Sequence, residues 1–514
     1  MHQRPRKIYE KSHLMMTEKK VEGETVAMTP GAVGFSDDVG VAASYPACRE
    51  KAQLLYRGAA LAPMVRASTT PLRLLALRYG ADFTYTEELV DRSLSQTIRV
   101  ENKELQTIDY IKDPAMLPKK TKKKLKADNN RPCLILRIDP NVEKGKLVCQ
   151  LGTGEPELAL DAAKKVVGDV AAIDVNMGCP KKFSVSGGMG SALLKDPDRA
   201  ARILASLKGL LGPLGKPLSC KIRLLATTKE TVDFVETMIR AGADAVAIHA
   251  RRVGDESTTA ADWKSLEEVL EVLRPKHPSI NFLVNGDFYD RKERTEFVER
   301  TKVDGVLLGR PALYNTSTFL PLETAEIDKT AVIQEYMKYS VRFDSHHKNT
   351  KYVVCEMMSH RRTPTGRVPY LPMKFPQGQT VGKTCNCHDL VSLCKLWGVD
   401  HSKALATITT GTNVDSECSE ATALAPGEHR YEDSYFLKGN QSAMDAKSAL
   451  ASKEDREEKE VPDANSVTQS EDMNKRGDQK SDLVDNVVKV NYIDERAVKR
   501  AKISSEEGNG SNMI

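Results

Sequence analysis

No stretch of the 514 residues runs to eighteen apolar positions, so no segment reads as a membrane-spanning helix. The first residues, with Arg4, Arg6 and Lys7 among mixed polar positions, lack the apolar core of a secretory signal. A dense cysteine framework is lacking too. The ten cysteines are scattered from Cys48 to Cys418, which argues against a disulfide-stapled secreted scaffold and predicts free thiols. Their one local group, Cys385, Cys387, His388 and Cys394, does not have a usual zinc spacing; it is read as helix packing, and no metal is expected. Charge of one sign is also scarce. The 76 Lys and Arg against 71 Asp and Glu leave +5, too little to identify a nucleic-acid partner from the total alone. These absences predict a soluble, intracellular, monomeric protein of the cytoplasm, with the basic RAVKRAK at 496–502 as a candidate nuclear address.

What is there begins with a 40% hydrophobic content, enough for a sizeable core in a chain of two or three domains. Residues 1–50 are polar and aperiodic and read as a flexible leader. From Arg57 short apolar runs alternate with amphipathic stretches. GAALAPMV from Gly58, ADFTYTEEL from Ala81, LVCQLGT from Leu147, AAIDVNMG from Ala171, LSCKIRLL from Leu218, AVAIHARR from Ala245, INFLVNGD from Ile280 and GVLLGRPAL from Gly305 are strand-like. CLILRID from Cys133 is a further strand, and Asp139–Gly145 reads as a hairpin turn joining it to the Leu147 run. Between Leu89 and Cys133 lies an insertion-like stretch with the basic run KKTKKKLK at 119–126.

Strands alternating with helices over this length predict the α/β class, a (β/α)8 TIM barrel across residues 51–322, with a doubly wound open sheet as the alternative. After Pro321 the pattern is helical only, which predicts a smaller all-helical domain over 323–400. The polar sequence from 401 to 514 predicts a disordered tail.

In a βα barrel the active site forms at the carboxyl ends of the strands. Read in that way, the strand ends supply Met64, Val65 and Arg66; Glu88; Gln150; Asn176 with Cys179; Lys221 with Arg223; His249 with Arg251; Asn285, Gly286 and Asp287; and Gly309 with Arg310. Any one of these could instead be an ordinary loop residue satisfying the backbone; eight strand ends together are harder to read so. NGD at 285–287 and GR at 309–310, after the seventh and eighth strands, suit a phosphate. Lys221 suits negative charge on a reduced ring and Gln150 a pyrimidine edge, although a salt-bridged structural lysine fits the same position. Gly187, Gly188 and Gly190 follow Cys179 and permit a mobile loop that carries a thiol able to serve as a proton donor. Taken alone, a cysteine after a strand is more often buried and inert.

In this order, LAPMVRASTTPLRLLALRYGADFTYTEELVD, VCQLGT, IDVNMGCPKKFSVSGGMGSALL, CKIR, AIHAR, VNGD and LLGRPALYN resemble the tRNA dihydrouridine synthases. Within that family the likeness is greatest to the eukaryotic branch that acts at position 20 of the D-loop, and it covers roughly residues 57–400. The resemblance implies that Cys179 is the general acid. It implies an FMN site lined by Met64, Val65, Arg66, Glu88, Gln150, Lys221, His249, Asn285, Gly286, Asp287, Gly309 and Arg310. Asn176, Arg223 and Arg251 are implied on the substrate side.

The implied reaction is ping-pong: NADPH reduces FMN, and the flavin N5 delivers hydride to C6 of an unstacked uridine while Cys179 protonates C5. Animal members of the branch carry a double-stranded RNA-binding domain that residues 401–514 do not match. Affinity for tRNA is therefore expected from Lys348, Lys351, Arg361 and Arg362 of the helical domain, or from Lys119–Lys126, although a charge run of this kind is more often a solvated face and is read so first. An FMN barrel acting on a free pyrimidine and a catalytically silent RNA-binding protein are the alternatives.

Overall fold

The computed structural model describes residues 45–119, 121–123, 132–358, 375 and 378–410. The leader before residue 45, the tail after 410, Lys120 and Lys124–Lys126 of the basic run, and Arg361 and Arg362 lie outside the described residues.

Eight of the apolar runs are parallel strands that close on themselves: β1 Gly58–Leu61, β2 Phe83–Val90, β6 Leu147–Gly152, β7 Ala172–Asn176, β8 Leu218–Leu224, β9 Ala245–Arg252, β10 Asn281–Asn285 and β11 Gly305–Leu308. β1 pairs with both β2 and β11, so the sheet has no edge and the open-sheet alternative is excluded. Strands buried on both faces read as continuous apolar runs, which is why they were legible. One face packs against the helical ring and the other fills the barrel.

The filling is a cluster of its own. Ala60, Ala62, Ala172, Ala245 and Ala247 leave room for Phe83 and Tyr85. Tyr56 closes the lower end, its hydroxyl donating to Ser219 Oγ at 2.9 Å. Ala52 belongs to the same cluster and sits on the helix Pro46–Leu55. That helix starts inside the segment expected to be a flexible leader, and Cys48 on it is fully buried. The correction has a physical reason. A helix that hides a few side chains under the barrel needs only a narrow apolar face and leaves the rest of its sequence polar.

The insertion after β2 is a three-stranded antiparallel sheet of β3 Thr97–Asn102, β4 Thr107–Lys112 and β5 Leu134–Ile138. This corrects the expected hairpin. β5 pairs with β4, while β6 belongs to the barrel, so Asp139–Gly145 connects two sheets. Beyond β11 come the helices Lys329–Arg342, His347–Met358, Val381–Cys385, Leu390–Trp397 and His401–Thr410, the last continuing past the expected end near Asp400. The first of them packs back on the barrel helix Thr70–Arg78: the Tyr79 hydroxyl donates to Glu335, and Arg78 lies 3.7 Å from the same carboxylate. No helix among the described residues is long and apolar enough to cross a membrane.

A buried ion-pair network ties the insertion to the barrel. Arg73 donates to Glu143 at 2.6 and 3.1 Å and also to the carbonyls of Ser68 (3.0 Å) and Arg137 (2.7 Å). The Arg137 side chain in turn grips Asp109 at 2.7 and 2.6 Å and reaches the Phe343 carbonyl. Because Arg73 is buried, Glu143→Ala leaves an uncompensated charge and should cost about 3–5 kcal/mol in urea unfolding. The double variant Arg73→Met/Glu143→Leu should recover most of that loss. A cost below about 1 kcal/mol for Glu143→Ala would show that the network does not hold the insertion in place.

Candidate active site

Side chains along a strand alternate between faces, so the positions that fill the barrel continue upward into the residues of its mouth. Val148 is followed by Gln150, Ala172 by Asp174 and Asn176, Ser219 by Lys221, Ala247 by His249, Leu283 by Asn285, and Leu307 by Gly309. Register places these residues side by side: Gln150 opposite Asp174, Asn176 opposite Lys221, and His249 opposite both Arg223 and Asn285.

A chain of hydrogen bonds climbs through them. Ser219 Oγ, which accepts from Tyr56, donates to Asp174 Oδ1 at 2.6 Å. Gln150 Nε2 donates to Asp174 Oδ2 at 2.8 Å, and Asn176 Nδ2 to Gln150 Oε1 at 3.3 Å. Asn176 Oδ1 then accepts from the backbone N–H groups of Gly178 (3.0 Å) and Cys179 (3.1 Å). Asn176, expected beside the substrate, is thus the peg of the cysteine turn. Asp174 was not among the expected residues. Burial pushes its carboxyl up to about 6 against the hydrogen bonds that favour its anion. Its signal in the sequence is a single charge inside the apolar run AAIDVN.

The opposite side of the mouth is cationic. Burial, then the charges of Lys221, Arg223, Arg251 and Arg310, hold His249 well below the ordinary histidine value, so it is neutral at neutral pH. Asp287 is the bracket of this cluster: Oδ2 accepts from Arg251 at 2.5 Å and from Ala261 N at 2.9 Å, and Oδ1 from Arg310 at 2.7 Å. Arg251, expected to reach substrate, is instead buried, donating also to the Thr259 carbonyl at 2.6 Å and lying 3.2 Å from His249 Nε2. Arg310 keeps part of its guanidinium in reach of ligand, 31% exposed, with its other end on the Ser257 carbonyl at 2.7 Å. Gly286 has φ +135, and a Cβ there would stand 3.0 Å from Ala261 Cβ and 3.3 Å from Ala250 Cβ, so only glycine lets the chain pass. Asn285 is tied to the Leu307 carbonyl at 2.7 Å, and Gly309 faces Met64 and Ala62.

On the β1 side the loop is shaped by Ser68, which accepts from Met64 N at 3.1 Å and donates to the Ala62 carbonyl at 2.8 Å. Val65 is exposed, and Arg66, at φ +69, gives its N–H to Glu87 and lays its guanidinium 4.3 Å from the Tyr352 ring centroid. Tyr352, on the helix His347–Met358, is a rim residue that the strand-end reading did not find. Arg223 donates to the carbonyls of Gly178 at 2.8 Å and Arg252 at 3.0 Å, which fixes the cysteine turn from below.

Lys221 makes no hydrogen bond or ion pair with another described residue, and burial with the nearby Arg223 pulls its ammonium down to about 8. A buried cation without a partner, with Arg223 beside it, suits an anionic ligand. The closed parallel barrel with a cation-lined, thiol-bearing mouth defines the (β/α)8 barrel class.

Residues 60–364 match the family described as dihydrouridine synthase (Dus), and the chain belongs to that family. It is 40% identical over 308 residues to a tRNA-dihydrouridine(20) synthase of Schizosaccharomyces pombe, a match covering 58% of this chain and 59% of that protein's own length. It is 35% identical over 308 residues to the Saccharomyces cerevisiae enzyme of the same name, covering 58% of this chain and 76% of the relative. A tRNA-dihydrouridine(16/17) synthase of S. pombe is 30% identical over 264 residues, 51% of this chain and 57% of the relative.

Lys221 generates a prediction that needs no ligand. Its folded value lies below its unfolded one, so the folded state binds this proton less well and the charged form detracts from stability at neutral pH. That loss disappears as pH rises from about 8 toward the ordinary lysine value of ~10.4. Lys221→Met should therefore be more stable than the parent at pH 7, with the difference shrinking across this window in denaturant titrations. Parallel pH profiles for the two proteins would mean that the ammonium is hydrated in the folded state.

Proposed function

We propose that this protein is an FMN-dependent tRNA dihydrouridine synthase that reduces the C5–C6 bond of a D-loop uridine, at position 20, with NAD(P)H as reductant. The observation that carries the reading is Cys179, half-buried on a glycine-framed turn at a cation-lined barrel mouth. Burial, then the Glu88 charge, raise this thiol above the ordinary cysteine value, as suits a proton donor at neutral pH. Its relatives are named for this chemistry on tRNA and for NAD(P)+.

Lys221, Gln150 and His249 would hold the ring of FMN, and Asn285–Asp287 with Gly309 and Arg310 its phosphate, with Met64–Arg66 along the edge. FMN, when bound, supplies the reducible ring through which two electrons pass from NAD(P)H to the pyrimidine. Asn176 holds the Cys179 turn in place, and Cys179 Sγ–H gives its proton to C5 as the double bond is saturated. The flat base has to leave its stack to meet both groups. Arg66 and Tyr352, stacked on each other at the rim, are positioned to meet the RNA around the exposed base.

Among the expected tRNA contacts, Lys351 is spent on the fold, donating to the carbonyls of Cys385 at 2.8 Å and Cys387 at 2.7 Å. Lys119, Lys122 and Lys123 are exposed, with Lys122 donating to the Ala115 carbonyl at 3.3 Å. If they meet phosphate, neutralising all three should make the salt dependence of tRNA binding shallower, by about one unit of slope for each phosphate left without its lysine. An unchanged slope would assign them to solvent.

The decisive experiment separates the two half-reactions. Cys179→Ala should bind flavin and be reduced by NADPH near the wild-type rate, whereas reoxidation by unmodified tRNA under anaerobic stopped flow should slow by ~10²–10⁴. Full product at the wild-type rate would remove Cys179 from the chemistry. Full activity on free uridine or uracil, with none on tRNA, would point to a small-molecule enzyme instead. Arg310→Ala should weaken flavin retention, and undiminished affinity would take Arg310 out of the phosphate site.

A further inference from the structure

We propose that Cys355 and Cys385 are a reversible dithiol that a small-molecule disulfide of the glutathione class oxidises to one intramolecular disulfide, clamping the helix His347–Met358 to the helix Val381–Cys385. Both are free thiols, and their Sγ atoms lie 3.7 Å apart although the residues are separated by 30 positions in the chain. That is van der Waals contact between sulfurs, about 1.7 Å longer than a disulfide bond.

The contact is held on both sides. Lys351, Cys355 and Met358 stand at i, i+4 and i+7 of one helix and so share a face. Lys351 Nζ donates to the carbonyls of Cys385 at 2.8 Å and Cys387 at 2.7 Å, and Thr384 Oγ1 donates to Met358 Sδ at 3.5 Å. The two thiols therefore meet between fixed partners placed about one helical turn to either side.

The nearby sulfurs are placed otherwise. Cys387 is buried and gives its Sγ–H to the Lys383 carbonyl at 3.5 Å, and Cys394 is buried as well. Within the local group Cys385, Cys387 and Cys394, only Cys385 is exposed, and its sulfur contact is with Cys355, outside the group.

Exposure decides the order of events. Cys385 meets the oxidant first: its thiolate attacks one sulfur of the small disulfide, whose S–S bond breaks and releases one thiol. The Cys355 thiolate then attacks Cys385 Sγ, and the second small thiol leaves. The protein thiols give up two electrons and two protons, and the small disulfide takes them up as two thiols. Burial, then the charge of Cys385, push the Cys355 thiol up, and the second of these causes ends once Cys385 is in the mixed disulfide. A closed loop of this length restricts the opened chain more than the folded one, so oxidation stabilises the docked pair of helices. The helix His347–Met358 also carries Tyr352, whose ring holds Arg66 at the rim, so the same clamp fixes that side of the mouth.

The test uses the purified full chain, reduced, freed of reductant and incubated anaerobically with millimolar oxidised glutathione. Peptide mapping by mass spectrometry without reduction should find Cys355 joined to Cys385 with a loss of about 2 Da, reversed by dithiothreitol. Cys355→Ser should stop at a glutathione adduct on Cys385. Amide hydrogen exchange in the helix His347–Met358 should be ~10-fold or more slower in the oxidised parent than in the reduced one. A lasting glutathione adduct on Cys385 of the parent, a bond from Cys385 to Cys387, or no reaction at Cys385 would overturn the proposal. Equal exchange in the oxidised and reduced chains would overturn the clamp even where the bond forms.

Discussion

The carboxylate of Asp174, buried inside a closed barrel, is the interaction on which the cysteine turn depends. An eight-stranded barrel has an interior just wide enough for side chains, and a charge placed there has to be satisfied within it. Ser219 and Gln150 satisfy Asp174, Asn176 satisfies Gln150, and the backbone of the turn satisfies Asn176. Each group has one orientation because its neighbour has one. The position of the Cys179 N–H is thereby set from Tyr56 at the barrel floor. Burying the anion disfavours it, and what the fold gains is a turn whose register cannot drift.

Across the mouth the same logic runs with the signs reversed. Four cationic side chains surround a neutral His249, and Asp287 anchors two of them. Lys221 is left without a partner among the described residues. The consequence is an electropositive mouth, with Asp174 buried beneath the cysteine turn and Asp287 between Arg251 and Arg310. A ligand carrying its negative charge at one end and a flat polar ring at the other matches this division.

The eight barrel strands were legible because strands buried on both faces are apolar throughout, and strand ends are where a barrel does its chemistry. Of the strand-end residues picked out by that rule, the register pairs Asn176 with Lys221 and sets His249 between Arg223 and Asn285. Which of them face ligand was not legible, since Arg251 and Asp287 differ from Arg310 only in whether a partner buries them. Asp174 was missed because a buried polar residue in an apolar run acquires its role from partners distant in sequence. The partner of β5 was misread for a related reason. CLILRID carries a strand pattern, but nothing in it says which sheet it joins, and the neighbouring β3 and β4 are too polar to announce themselves.

The helices after the barrel were expected to form a separate domain, and their contacts give them a further part in the site. Glu335 holds Tyr79 and Arg78 of the first barrel helix, and the Phe343 carbonyl takes up Arg137 of the insertion. Tyr352 carries the Arg66 guanidinium at the rim. Arg66 is strained into a left-handed conformation that a non-glycine residue adopts at a cost, and it stays there because Glu87 holds its N–H and Tyr352 its side chain. One of those two restraints comes from the barrel and the other from the helical part. The rim at Arg66 is therefore complete only when the helical segment is docked. A barrel cut off before Lys329 would keep its thiol and its cations and lose Tyr352, one of the two groups that hold Arg66.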